Sequence, residues 1–177
     1  AASKTARMPR SYWDWQSMLR DNAGGFFTYT PATNVLYGLR EALRMFEEEG
    51  LPNVFARHAR FGRAARAAVA AWGLELVCQK PDEYSDVLTA VMMPSGHDAD
   101  HFRRIVLDRF DMSLGTGLGK LKGRAFRIGH LGDLNDLTLA GTLCGVEMGL
   151  ALAGVPHTPG GVKAALDSIT ADAAVEA

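Results

Sequence analysis

Arg127 lies in a short alternating run, Arg124-Ala125-Phe126-Arg127-Ile128-Gly129-His130. Alternation with period two predicts a strand. Phe126 and Ile128 then share one face and can bury, while Ala125, Arg127 and Gly129 share the other. Arg127 stands between two side chains too small to cover it. A planar guanidinium in such a hollow has the geometry for a two-point grip on a small carboxylate. The plainer reading of the same run is an arginine on a solvated sheet face.

Thr30-Pro31 is the second feature with chemistry in it. Thr30 is placed as a helix N-cap, with Pro31 at the first helical position. A hydroxyl at a helix N-terminus is a natural anion site and could hold a phosphate without a lysine. Simple capping is compatible with that use.

Other groups read more plainly. Gly115-Thr116-Gly117-Leu118-Gly119 has the look of a phosphate loop, but Lys120 and Lys122 lead from it into a strand, whereas a dinucleotide fingerprint needs a helix there. It is expected to be a flexible hairpin loop. His97 and His101 have the spacing of a metal pair on a helix, yet His97 falls before the helix and Asp98 is better used as its cap, so no metal site is expected. His58, between Phe55 and Phe61, reads as a packed or surface histidine. His130 ends the strand of Arg127, where it could tune binding, but a regular strand turns it to the opposite face.

The elements that position these residues follow from periodicity. Ala32, Leu36, Leu39, Leu43 and Phe46 have helical spacing, closed by Glu47 to Glu49 and Gly50. A second helix is expected from about Pro52 to Trp72, stopped by Gly73. Its arginines Arg57, Arg60, Arg63 and Arg66 read as a solvated face pairing with the acidic turn before it. Leu74 to Gln79, Val87 to Met93, Met112 to Leu114 and Arg124 to His130 read as strands. Helices are expected from Asp98 through Phe110, from Asn135 to near Gly154, and over roughly Gly161 to Ser168, with a frayed tail. This order predicts a small, mostly antiparallel sheet covered on one side by helices.

The bulk properties agree with a soluble globular chain of 177 residues, 47% apolar and 22% charged. A net charge of -1 gives no general pull toward nucleic acid or an anionic membrane. Cys78 and Cys144 lack metal or redox spacing and suit a reducing, cytoplasmic compartment. Asp136, Thr138, Glu147 and several glycines interrupt the apolar stretch Leu137 to Val155, which reads as a buried helix, not a membrane span. The basic opening, Ala1 to Arg10, has no apolar core and is no secretory signal; a transit peptide is the alternative.

With these neighbours a family comes into view. Phe27-Thr28-Tyr29-Thr30-Pro31-Ala32-Thr33-Asn34, running into Leu36-Tyr37-Gly38-Leu39-Arg40-Glu41-Ala42-Leu43, resembles the class V, fold-type I pyridoxal-phosphate aminotransferases of the serine–glyoxylate type. Phe126 to Gly132 followed by Asn135-Asp136 fits the same pattern. So do Phe110-Asp111-Met112-Ser113 with the glycine loop, and Ala153-Gly154-Val155-Pro156. The resemblance covers nearly the whole chain. It implies an α/β enzyme whose C-terminal small domain is α+β. Residues 1–33 would be the tail of the large domain and the interdomain segment, and 34–177 the small domain with its linking helix. It implies a homodimer that uses pyridoxal 5'-phosphate to move the amino group of serine to glyoxylate, with small amino acids and 2-oxo acids as its partners.

The resemblance also implies roles for matched positions. Arg127 falls where an arginine binds the substrate α-carboxylate. Thr30 falls where a threonine reaches the cofactor phosphate of the other subunit. Phe27 falls where a tyrosine does that work in some relatives, and without a phenolic hydroxyl it cannot make that bond. The lysine that holds the cofactor, the aspartate at its ring nitrogen and the stacking aromatic all belong to the large domain. None of Lys4, Lys80, Lys120, Lys122 and Lys163 matches that lysine's surroundings. The chain is therefore expected to hold no catalytic residue and to be inactive alone. The alternative is a stand-alone small domain without chemistry, acting in dimerisation or partner binding.

Overall fold

Three strands, β1 (Leu88–Met92), β2 (Gly115–Thr116) and β3 (Ala125–Gly129), pair antiparallel in the order β1-β3-β2. The structure is a computed structural model and describes residues 2–175. Two units, Ala1–Glu49 and Gly50–Ala177, each make their own internal contacts.

In the second unit, the two faces of the sheet have different fates. The register sets Val91 opposite Phe126 and Thr89 opposite Ile128, and all four are buried. Onto this face pack α4 (Leu51–Ala71), α5 (Ala99–Phe110), α6 (Asp136–Leu152) and α7 (Gly161–Val175). Phe61, Val69, Phe102, Val106, Leu139 and Leu150 from these helices join Phe126 and Ile128 in one core. The opposite face carries Leu88, Ala90, Arg127 and Gly129, which are half-buried or exposed. This is the small helix-covered antiparallel sheet, α+β, that the periodicities predict.

Local sequence explains where the helices start and how closely they pack. Asp98 caps α5 by accepting from the amides of Asp100 at 2.7 Å and His101 at 3.3 Å. Asn135 and Thr138 form a reciprocal capping box at the start of α6, a device worth about 1 kcal/mol. Gly149 lets α6 approach α5 closely, since a Cβ there would lie 3.0 Å from the Phe102 ring and overlap Val106. Among the described residues no helix is long and apolar enough to cross a membrane.

In the first unit, α1 (Ala2–Thr5), α2 (Trp15–Ala23) and α3 (Thr33–Glu49) are joined by irregular segments. None of its described residues is buried. The apolar stripe expected on α3 is present and open: Leu39 is 54% exposed and Leu43 51%. Tyr29 donates from its hydroxyl to the Ser11 carbonyl at 2.9 Å, and its ring stacks on Tyr12 at 4.9 Å. These contacts hold the segment that carries Thr30 onto the turn Ser11–Trp13.

Several expectations need correction. Thr30 does not cap a helix. The Ala32 carbonyl accepts the first helical bond, from Leu36 N at 3.0 Å, while Pro31 O takes Thr33 N in a tighter turn. Leu74 to Gln79 is no full strand. It meets β1 only around the bridge Leu76↔Val91, through the Met92 N–Glu75 O and Val77 N–Ala90 O bonds. Met112 to Leu114 is not paired; the strand begins one residue later, so Gly115 and Thr116, expected in a loop, lie in the sheet. Arg57, Arg60 and Arg66 are half-buried and bond to the Gly132, Asp136 and Ser85 groups of their own unit, so the arginine stripe is not simply solvated. The last helix runs on to Val175, because Ile169 still packs into the core.

Glu147 ties three of these helices together. Its carboxylate accepts from Trp72 Nε1 at 2.7 Å, Gly160 N at 2.9 Å and Val162 N at 3.1 Å. Burial works against its charge, but the bonds from Trp72, Gly160, Val162 and Gly161 outweigh it and hold its pKa below the ordinary glutamate value. Glu147→Ala leaves the buried indole N–H unpaired and uncaps α7. It is expected to cost about 3 kcal/mol and to lower the melting midpoint by roughly 10 °C. Calorimetry on the variant chain measures this, and an unchanged midpoint would show that Glu147 holds nothing.

Candidate functional site

β3 delivers Arg127 to the open face of the sheet. Along the strand its neighbours on that face are Ala125 and Gly129, and across it they are Ala90 of β1 and Gly115 of β2. Four small residues thus surround one guanidinium. Arg127 is half-buried, and among the described residues no hydrogen bond or ion pair engages it. Its Nε is shut off from water without an acceptor. A buried, charged donor left unpaired is costly, and an anion at this face would offset that cost.

The chain that follows β3 is braced from behind. The Gly132 amide donates to His58 Nε2 at 3.1 Å, and His58 Nδ1 donates to the Val54 carbonyl at 2.7 Å. Arg57 donates to the carbonyls of Gly132 at 2.9 Å and Leu134 at 3.1 Å. Two consecutive residues of α4 therefore grip both sides of one turn.

His130 is fully buried, on the face away from Arg127 as the alternation predicts. Its Nδ1 donates to the Asp86 carbonyl at 3.0 Å, and Nε2 accepts from the Thr89 hydroxyl at 2.9 Å. Burial pushes its pKa below the ordinary histidine value, and the Arg66 charge adds to this. His130 thus braces the strand end and does not face Arg127.

In the first unit, Thr30 lines an open cavity of about 550 Å³ with Tyr12, Trp15, Phe27, Thr28 and Leu36. Thr30 is exposed, and the neighbouring Thr28 hydroxyl is buried without a partner. The walls are apolar, Phe27 contributes a ring with no polar atom, and no basic side chain lines the cavity among the described residues. Thr28 and Thr30 offer an oxyanion their hydroxyls here, beside the polar groups of Tyr12, Tyr29 and Asn22.

Sequence reasoning singled out Arg127 and Thr30 but did not name Gly115, Ala90, His58 and Arg57 as parts of the surroundings. The cross-strand neighbours depend on register, which the alternation alone does not supply. A glycine within a run leading into a strand was the available signal, since such a position often marks close backbone approach.

The fold is that of the C-terminal domain of fold-type I aminotransferases. No family model matches the chain. The chain is 46% identical over 167 residues to the serine–glyoxylate aminotransferase of Methylorubrum extorquens, covering 94% of this chain and 42% of that protein. It is 47% identical over 166 residues to the serine–glyoxylate aminotransferase of Arabidopsis thaliana, with 93% of this chain and 41% of that protein covered. Among solved structures, the ureidoglycine–glyoxylate aminotransferase of Bacillus subtilis superposes with a TM-score of 0.83 at 31% identity, over 94% of this chain and 44% of that one. The chain thus spans less than half the length of the relatives it matches, and it is homologous to the C-terminal portion of the class V aminotransferases.

The state of His130 makes stability depend on pH. Its pKa is lower folded than unfolded, so the unfolded chain takes the proton first. Stability is then complete above about pH 6.5 and declines as the pH falls below it. Urea midpoints compared at about pH 7.5 and about pH 5.5 should show this loss. His130→Asn should show a smaller loss; an equal loss would assign the effect to other groups.

Proposed function

We propose that this chain forms the small domain of a pyridoxal-phosphate-dependent aminotransferase that moves the amino group of serine to glyoxylate, giving hydroxypyruvate and glycine. One observation carries the reading: Arg127 stands half-buried on a bare sheet face with its Nε desolvated and unpartnered. A carboxylate is the small anion whose two oxygens match a guanidinium. Both substrates and both products of the proposed reaction bear one. The named donors of the similar proteins differ, serine against ureidoglycine, while glyoxylate is common to them. Serine as donor is supported by the higher identity to the serine–glyoxylate enzymes.

In this reading Arg127 fixes the α-carboxylate and so orients the Cα–H bond that must break. Orientation of this kind contributes up to about 7–11 kcal/mol in favourable intramolecular cases. When bound, pyridoxal phosphate supplies the electron sink for that bond's cleavage. The unpaired Thr28 hydroxyl and the exposed Thr30 hydroxyl fit a phosphate in chemistry. Thr30 would hold the cofactor phosphate of the partner subunit in a homodimer, and Phe27 would serve only as apolar wall. Residues 1–33 are then the end of the large domain with the interdomain segment, and 34–177 the small domain. The lysine that anchors the cofactor is assigned to the large domain.

A second reading, a small domain without chemistry that binds a partner, is favoured by the open apolar stripe of α3. It requires that joining the chain to a class V large domain yields no transamination.

In such an assembled enzyme, Arg127→Lys keeps the charge but loses the planar pair of donors. The kcat/KM for serine should fall by roughly 10²-fold, since a charge-assisted pair is worth about 1.5–3 kcal/mol before misalignment is added. An amine without a carboxylate should lose much less, and equal losses for both would reduce Arg127 to a structural role.

Thr30→Val removes a hydroxyl and keeps the shape. It should weaken cofactor retention, read by absorbance after dialysis, far more than it weakens amino-acid binding. Unchanged retention would rule out the phosphate role.

A further inference from the structure

We propose that Gly115 is a positioning residue: it gives the Arg127 guanidinium a bare strand to lie against, and so sets where its donors meet a carboxylate. The inference rests on reading Arg127 as the carboxylate binder. Gly115 pairs directly with Arg127 across β2 and β3. A Cβ at Gly115 would lie 3.0 Å from both Cβ and Nε of Arg127 and 3.5 Å from its Cζ. Opposed side chains in an antiparallel pair normally keep their Cβ atoms about 4.5–5.5 Å apart. The stem of Arg127 therefore bends over the place where any other residue would put its side chain.

Backbone conformation does not explain this glycine. Gly115 is absent from the positive-φ residues, unlike Gly119 and Gly123 further along the same connection. Alanine can adopt its backbone, so the demand at this position is for space beside one side chain. Nε of this same side chain is shut off from water without an acceptor. An arginine free to swing would move Nε into solvent, so the pressed geometry is kept against a cost in desolvation. The glycine run that resembles a phosphate loop thus acquires a use that involves no phosphate.

Two measurements test the assignment. In the chain itself, the Arg127 Nε–H resonance should exchange slowly with water, and Gly115→Ala should shift it and speed its exchange. In the assembled enzyme, Gly115→Ala should raise KM for serine and glyoxylate about tenfold, the equivalent of one charge-assisted hydrogen bond. A misplaced carboxylate also turns the Cα–H bond, so kcat for serine should fall as well, while an amine without a carboxylate should be unaffected. In an Arg127→Lys background the same substitution should add almost nothing, and this comparison also guards against loss of stability. If Gly115→Ala costs as much in that background as it does beside the native Arg127, it acts on the fold and the proposal is overturned. If Arg127→Lys weakens carboxylate binding while Gly115→Ala leaves KM and the resonance unchanged, positioning fails and the reading of Arg127 stands. If Arg127→Lys itself has no effect, that reading fails first.

Discussion

Phe126 and Ile128 are fully buried, and their burial decides which way Arg127 faces. Side chains alternate along a strand, so a slip of one residue would carry the guanidinium into the core and bring both apolar side chains out. Exposing each of those would cost about 1.5–3 kcal/mol. Burying an unpaired guanidinium would cost several more, since the described core around Phe126 holds no carboxylate to meet it. Both penalties act in the same direction. The register of β1, β2 and β3 is thereby defended from the two faces at once, and the open face inherits its arrangement from the closed one.

The segment after β3 needs its own restraint. Fixing the backbone of four residues, Leu131 to Leu134, costs about 1–2 kcal/mol each in conformational entropy. Little of that is recovered by apolar burial, because Leu131, Gly132 and Asp133 are exposed. Hydrogen bonds from Arg57 to Gly132 and Leu134, and from Gly132 to His58, supply the opposing side. Net contributions near 1 kcal/mol per bond, and more where a charge takes part, roughly balance the ordering cost. The polar braces of α4 therefore decide whether the strand end keeps one conformation.

Much of this could be read from the chain. The alternation in β3, the Asp98 cap, the Asn135 start and the covered antiparallel sheet were all visible, because each depends on residues close in sequence. The misses share a physical cause. Thr30-Pro31 carries a sound capping signature, yet Pro31 O and Ala32 O take the first turn, so propensity was outweighed by the packing of Tyr29 on Tyr12 nearby. Leu74 to Gln79 has strand composition but meets β1 only around Leu76, since composition does not set pairing length. Ala90 and Gly115 became neighbours of Arg127 through register, and His58 and Arg57 through the packing of a helix many residues distant. Local pattern placed the arginine; only the fold assembled the small residues around it.

The three bonds to Glu147 link the second unit in a further way. α7 meets the rest of the unit through Ala165 and Ile169, and through the close approach of Gly161 to Trp72, with a single carboxylate anchoring its first turn. α7 packs chiefly on α4, and the carboxylate that anchors its first turn also holds the Trp72 indole at the end of α4, so one group locks both helix ends. The α4 residues that brace the turn after β3, Arg57 and His58, lie toward the other end of the same helix, so the first turn of α7 and the strand of Arg127 are fastened to opposite ends of one rod.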